Sequence, residues 1–292
     1  MTAALVIVPR VPSQAPSWSG ELSLRFARMR AGTTMHTLRA RMPLAVQRAF
    51  HPEGDGPCHA VILHPPGGMV GGDALGITIN AESGAEALIT TPSAAKWYRA
   101  RSPASLHTDI VVAAGACVEW LPLETIVYDG ASARQSLRVS LATDAIWIGW
   151  EITRFGRSAR GERFAHGSWR SHTEVWRDSE SNGEPLWIDR QTLTGGSPLL
   201  DSPYGLAGAT VIGSFAAIGF EPAPALLTGL RAHCVLPKDT GMVGITALPS
   251  GIVCRYRGPS SSAARACFAL IWDALRRKVR GRAAVMPRIW NT

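Results

Sequence analysis

Stretches in which apolar and polar residues alternate recur from end to end of this chain. They are LSLRF at 22–26, LGITIN at 75–80, SLRVSL at 136–141, AIWIGWEI at 145–152, a longer run from Arg163 to Trp176, and GIVCRY at 251–256. A period of two places successive side chains on opposite faces of a strand, and Gly, Pro, Ser and Asp separate the segments, so the pattern predicts a mainly β chain of strands joined by turns. Helical spacing is convincing once. Cys267, Phe268, Ile271, Trp272, Leu275 and Val279 share one face, which predicts a helix near 262–280. The serines at 260–262 can cap its start, and Arg276, Arg277, Lys278 and Arg280 stand where the helix dipole favours cations. A weaker helical pattern covers 223–233. No repeat or long linker divides the sequence, and a single domain over 1–292 is expected.

A chain of 292 residues, 46% hydrophobic and 18% charged, can build a large core without staples. Its apolar runs, such as ALVIV at 4–8 and AVIL at 60–63, fall far short of the roughly 20 residues that span a bilayer. With no charged region ahead of ALVIV, neither a membrane span nor a secretion leader is expected, and the reading is cytoplasmic. The five cysteines form no Cys-x-x-Cys pair and read as buried reduced thiols. The net charge of +8 is almost wholly arginine, since lysine occurs only at positions 96, 238 and 278. Scattered arginines suit the carboxylates of a protein partner better than a nucleic acid, although a basic nucleic-acid-binding protein is the alternative to test.

The densest motif is HPPGGMVGGD at 64–73. It is no phosphate loop: its glycines lead to Asp73 and a strand pattern, where a P-loop needs Lys-Ser/Thr and a helix. A tight turn that presents His64 and Asp73 is what remains. Ser93-Ala94-Ala95-Lys96 matches S-x-x-K, but no S-D-N element accompanies it, so acyl transfer has little behind it. Histidine spacings for a zinc-type site are absent. Several acids lie within apolar strand-like stretches: Asp73, Glu119, Glu124, Glu151, Glu174 and Asp189. A buried carboxylate needs a partner, and for any one of them an arginine is the plainer reading, with a cation the alternative.

Taken in order, PLAVQRAF at 43–50, CHAVILHPPGGMVGGD at 58–73, TTPSAAKWYR at 90–99, EWLPLETIVYDGA at 119–131, FGRSARGERFAHG at 155–167 and PRIWNT at 287–292 resemble the urease accessory protein family called UreD, or UreH in some organisms. The resemblance implies a layered, mostly antiparallel, β-helix-like fold. It implies a non-enzymatic maturation factor with no permanent cofactor. The expected partners are UreF, UreG through UreF, and the urease apoenzyme, in an assembly of two heterotrimers that handles Ni2+ only in transit, through a water-filled tunnel. His64, Gly67, Gly68, Gly71, Gly72, Lys96, Tyr98 and Arg99 are then structural signature residues. Nickel would be trapped by clustered Cys and His, whereas spaced carboxylates hold it loosely. On that expectation Asp73, Glu151 and Asp189 line the path, with Glu119, Glu124, Glu162 and Glu174 as further candidates. A docking scaffold that carries no nickel is the competing expectation.

Overall fold

A computed structural model of the chain describes residues 17–177 and 183–291; the ALVIV run lies outside them. The strands in chain order are β1 (Ser19–Met29), β2 (Gly32–Arg41), β3 (Ala45–Val46), β4 (Cys58–Leu63), β5 (Ala74–Ala81), β6 (Glu86–Thr90), β7 (Ala95–Trp97), β8 (Ala104–Val112) and β9 (Cys117–Trp120). They continue with β10 (Thr125–Val127), β11 (Ser132–Leu141), β12 (Ile146–Phe155), β13 (Ser168–Arg177), β14 (Glu184–Thr194), β15 (Val211–Ile218), β16 (Met242–Leu248) and β17 (Gly251–Gly258). Helix α1 (Pro224–Ala232) precedes β16, and α2 (Ser261–Val279) follows β17. The predicted 163–176 strand starts only at Ser168, because Arg163 to Gly167 turn the chain into it.

One sheet has the order β14-β13-β11-β8-β5-β1-β2, and the other runs β16-β17-β15-β12-β9-β6-β4-β3, with β10 and β7 attached beside β12. From β4 to β13 the chain passes back and forth between the two sheets, so each return lays a strand parallel to the previous one. Among the described residues nine strand pairs are parallel: β1–β5, β5–β8, β8–β11, β11–β13, β4–β6, β6–β9, β9–β12, β10–β12 and β7–β10. Antiparallel pairing is confined to the flanks, as in β1–β2, β13–β14 and β15–β17. The mainly β, layered, two-helix architecture is as expected. The mostly antiparallel pairing is not: coiling makes the middle parallel, since the opposite sheet serves as the crossover that parallel strands require.

This winding accounts for two kinds of strand. In the first sheet β5 alternates along its whole length between buried and accessible positions, and β1 does so as far as Phe26, because one face meets water. In the second, β12 and β15 are almost continuously buried, since the inter-sheet core lies on one side and α2 on the other. Leu24, Phe26, Ile79, Val139, Val118 and Trp147 fill the space between the sheets. A second core joins Trp150, Phe215 and Ile252 to Phe268, Ile271 and Trp272 of α2. Helix and sheet approach so closely that a Cβ on Gly213 would stand 2.8 Å from the Phe268 ring. Trp290 closes this core with its ring 5.4 Å from Trp150, whereas Trp18 is half exposed. Ser260 caps α2 as expected, its hydroxyl accepting from Ala263 N at 3.2 Å.

Arg276, read from sequence as a helix-end cation, is also 1% exposed. Its Nη2 donates to Glu53 Oε2 at 2.8 Å, its Nε lies 3.1 Å from Glu119 Oε1, and its Nη1 donates to Ala283 O at 3.0 Å. His59 Nε2 meets the other Glu53 oxygen at 2.9 Å. One guanidinium thus ties α2, β9, the loop before β4 and the chain after α2. Burial raises the Glu53 carboxyl, but the bonds from His59 and Arg276 outweigh it and hold the pKa below its ordinary value. Glu119 is the opposite case. Burial pushes it up to about 7 against the charges of Arg276 and Arg280 and the Trp272 indole, while Glu53 pushes the same way as burial. Its Oε2 has no hydrogen-bond partner among the described residues. All five cysteines are free, and all but the half-buried Cys234 are buried.

Two outcomes follow. Phe268→Ala should cost about 3–5 kcal/mol, read from urea unfolding; a loss under about 1 kcal/mol would contradict the packing of α2 described here. Because Glu119 keeps its proton in the folded chain at pH values where the unfolded chain has lost it, stability falls as pH rises from about 5 toward 7. Glu119→Gln should remove that slope, so its stability relative to the parent rises across the window; a difference independent of pH would refute the assignment.

Candidate functional site

The segment 64–73 is the corner that carries the chain from β4 in one sheet to β5 in the other. Gly67 N closes the turn on His64 O at 2.8 Å, with Gly67 at φ +72°. At Gly68 a Cβ would lie 2.3 Å from the Tyr98 ring, and this close approach lets Met69 pair with the strand around Trp97, through Met69 N to Lys96 O at 2.8 Å and Tyr98 N to Met69 O at 2.9 Å. Gly71 abuts Ser102, and Gly72 N donates to Pro103 O at 3.0 Å. Asp73 ends the corner: its two oxygens accept from Trp18 N at 3.0 Å and Val70 N at 2.9 Å. Tyr98 packs edge-on against Tyr128 at 5.1 Å, and Arg99 pairs with Asp129 at 2.7 Å. The two signature segments are therefore one joint. Ser93 precedes a strand rather than opening a helix, so the S-x-x-K geometry is not present.

His64 and Lys96 line a cavity of about 370 Å³ with Ser93, Thr91 and Trp97. Burial lowers the His64 pKa, with Asp73 pulling the other way, so the imidazole is neutral near pH 7. A second cavity of about 120 Å³ shares Ile62, Ile77, Thr91, Ala95, Leu106 and Thr125 with it and continues between the sheets to Glu151.

Register builds the surroundings of Glu151. On the second sheet Glu151, Ser214 and Arg255 stand side by side on β12, β15 and β17. On the first, Gln135, Ser171 and Gln191 are neighbours on β11, β13 and β14, with Asp189 opposite Thr173. Ser171 Oγ crosses between the sheets to donate to Glu151 Oε2 at 2.6 Å, and Thr153 Oγ1 donates to Oε1 at 3.1 Å. Gln135 Nε2 donates to Ser171 Oγ at 3.3 Å. Asp189 Oδ2 accepts from Arg255 Nη1 at 2.5 Å, Gln191 Nε2 at 2.8 Å and Ser214 Oγ at 3.3 Å. Two of the interior acids have no cation in bonding range among the described residues: Asp73, held by two backbone amides, and Glu151, which borders the cavity and is held by neutral side chains. Burial raises its pKa; the bonds from Ser171, Thr153 and Gln135 oppose this, and the charge of Asp189 adds to it.

The remaining candidate acids are engaged elsewhere. Glu124 holds Arg265 at 3.1 Å and Ser261 at 3.2 Å, fixing the start of α2. Glu162 is clasped by Arg157 and accepts from Asp129 N at 3.2 Å. Glu174 accepts from Arg190 at 2.7 Å and the Trp176 indole at 3.2 Å. Hydrogen bonds from those arginines hold both Glu162 and Glu174 below the ordinary carboxylate range. Of the seven acids, only Glu151 and Asp189 share one neighbourhood. Among the described residues no group of three His, Cys, Asp or Glu side chains is placed to hold a metal ion. Sequence reasoning did not single out Ser171, Gln135, Ser214 and Arg255. The available signal was a polar residue interrupting an apolar strand, as Ser214 does in VIGSFAAI.

Comparison with known proteins agrees with this frame along its length. The model of the UreD urease accessory protein family matches residues 19–291. The urease accessory protein UreD of Trichormus variabilis is 47% identical over 276 residues, covering 94% of this chain and 96% of that protein. The UreD protein of Azoarcus sp. is 46% identical over 278 residues, 95% of each chain. The one from Dechloromonas aromatica is 45% identical over 284 residues, 96% of this chain and 97% of its own. With matches of that extent, the chain belongs to the UreD family of urease accessory proteins.

Proposed function

We propose that this protein is a non-catalytic urease maturation factor that joins UreF, and UreG through it, on apo-urease, and that Ni2+ is its cargo, passing between the two sheets by way of Glu151. Family membership over nearly the whole chain supports the maturation role. The conduit rests on one observation: Glu151 is an interior carboxylate without a cationic partner among the described residues, and it borders the inter-sheet cavity. The cavity around it offers Ser171, Ser214, Thr173 and Gln135, all hard oxygen donors. Water, hydroxyls and a single carboxylate hold a divalent ion weakly enough to release it, which a Cys/His cluster would not. Asp189 is the next acid on this path, already neutralised by Arg255. Asp73, Glu119, Glu124, Glu162 and Glu174 have partners an ion would have to displace, so they belong to the frame in this reading.

The many acids locked in ion pairs equally favour a scaffold that docks on urease while nickel travels another way. Co-expression with urease and the other accessory proteins separates the two. Glu151→Gln keeps the shape and removes the charge, so under the conduit reading nickel per urease active site drops severalfold while the complex still co-purifies. Since burial raises the Glu151 pKa, the parent's loading should also weaken on acidification, beginning closer to neutrality than for an ordinary carboxyl, and the variant should lack that dependence. Unchanged loading by Glu151→Gln with an intact complex would leave the scaffold reading in possession.

A further inference from the structure

A third cavity shares no lining residue with the two that the conduit uses. It measures about 540 Å³ and lies between the 47–52 segment, β4 and the 285–289 segment beyond α2. Its walls are fixed without any ligand. Gln47 N donates to Val61 O at 3.0 Å, and Phe50 and His59 exchange backbone hydrogen bonds at 3.0 and 2.9 Å. Across the recess, Ala284 N donates to Asp273 Oδ1 at 2.7 Å, Arg276 holds Ala283 O, and the Trp290 indole donates to Thr90 Oγ1 at 2.8 Å. Pro52 and Pro287 stiffen the two sides. A preformed recess of this kind spends little free energy on ordering when it is filled.

The lining is largely apolar, with Phe50, Val61, Val285, Met286 and Pro287 facing it. Phe50, Val285 and Met286 stay 37%, 37% and 41% exposed, a cluster of apolar surface around a concavity of ligand-binding size. Among the described residues the charge at its mouth has one sign. Arg288 lines the recess, and the Arg48 guanidinium lies 5.7 Å over the Phe50 ring. Both side chains are exposed, and neither forms an ion pair among the described residues. Glu53, the acid of this wall, is turned inward onto His59 and Arg276, and no carboxylate among the described residues lines the recess.

We propose that this recess docks an apolar segment of a partner protein whose flanking residues are acidic. Its apolar side chains fill the space between Phe50 and Met286, and its carboxylates meet Arg48 and Arg288. A second copy of this chain is a poor occupant, because its net charge is +8. The inference does not depend on whether ions pass between the sheets.

Fluorescence polarisation on the full chain tests it with two labelled synthetic peptides, Asp-Glu-Leu-Phe-Leu-Glu-Asp and Lys-Lys-Leu-Phe-Leu-Lys-Lys. The acidic peptide should bind with a Kd below about 100 µM, weakening as salt is added, and the basic one should not. Met286→Gln should weaken it about tenfold through lost apolar contact, and Arg48→Glu with Arg288→Glu should reverse the preference between peptides. All three positions are exposed, and an unchanged urea midpoint in each variant certifies the fold. Equal binding of both peptides, binding of neither, acidic-peptide binding untouched by Met286→Gln, or preference for anionic lipid vesicles over the peptide would each overturn the proposal.

Discussion

A carboxylate enclosed between apolar layers must find a cation, find hydrogen-bond donors, or keep its proton, and that constraint organises this molecule. Beneath α2 and at the rim of the seam, buried acids are answered by an arginine. Arg276 gathers Glu53 and Glu119 beneath α2, Arg265 meets Glu124 at the start of the same helix, and Arg255 meets Asp189 at the rim of the seam. Glu151 alone among these interior acids is answered only by neutral hydroxyl and amide groups. It also stands where the sheets leave space. The chemistry proposed for the protein follows from that difference, since a carboxylate held by neutral donors remains open to a passing cation.

The coiling of the chain is what puts the seam there. Because strands alternate between sheets, Ser171 comes to face Glu151, which precedes it by only 20 residues but sits on the opposite layer. The HPPGGMVGGD corner performs the same operation earlier in the chain, and its glycines are demanded by the Tyr98 ring and the Ser102 backbone rather than by a ligand. Asp73 closes that corner through two backbone amides, a role closer to a cap than to a binding group.

Much of the frame was legible in the chain itself. Alternation at 22–26 and 75–80 marks strands with one wet face, and the face shared by Phe268, Ile271, Trp272 and Leu275 marks α2. The direction of pairing was not legible, because period-two alternation is the same in parallel and antiparallel strands, and only the order in which the chain visits two sheets decides it. Nor could spacing separate Glu151 from Glu119. Both lie in apolar strands of the second sheet; what differs is that Arg276, 157 positions away from Glu119 in sequence, arrives through the packing of α2. Long-range partners of this kind leave no local trace. The recess at Met286 was hidden for a similar reason, as its two walls are far apart in sequence.

The central claim is that a divalent ion can rest beside Glu151 within the seam. Anomalous diffraction from crystals of the complex with apo-urease, soaked in Ni2+, tests it without an activity readout. The account predicts an interior peak about 2.1 Å from a Glu151 carboxylate oxygen, coordinated otherwise by water or hydroxyl oxygens. Nickel peaks confined to surface histidines such as His107, with the seam empty at saturating metal, would contradict it.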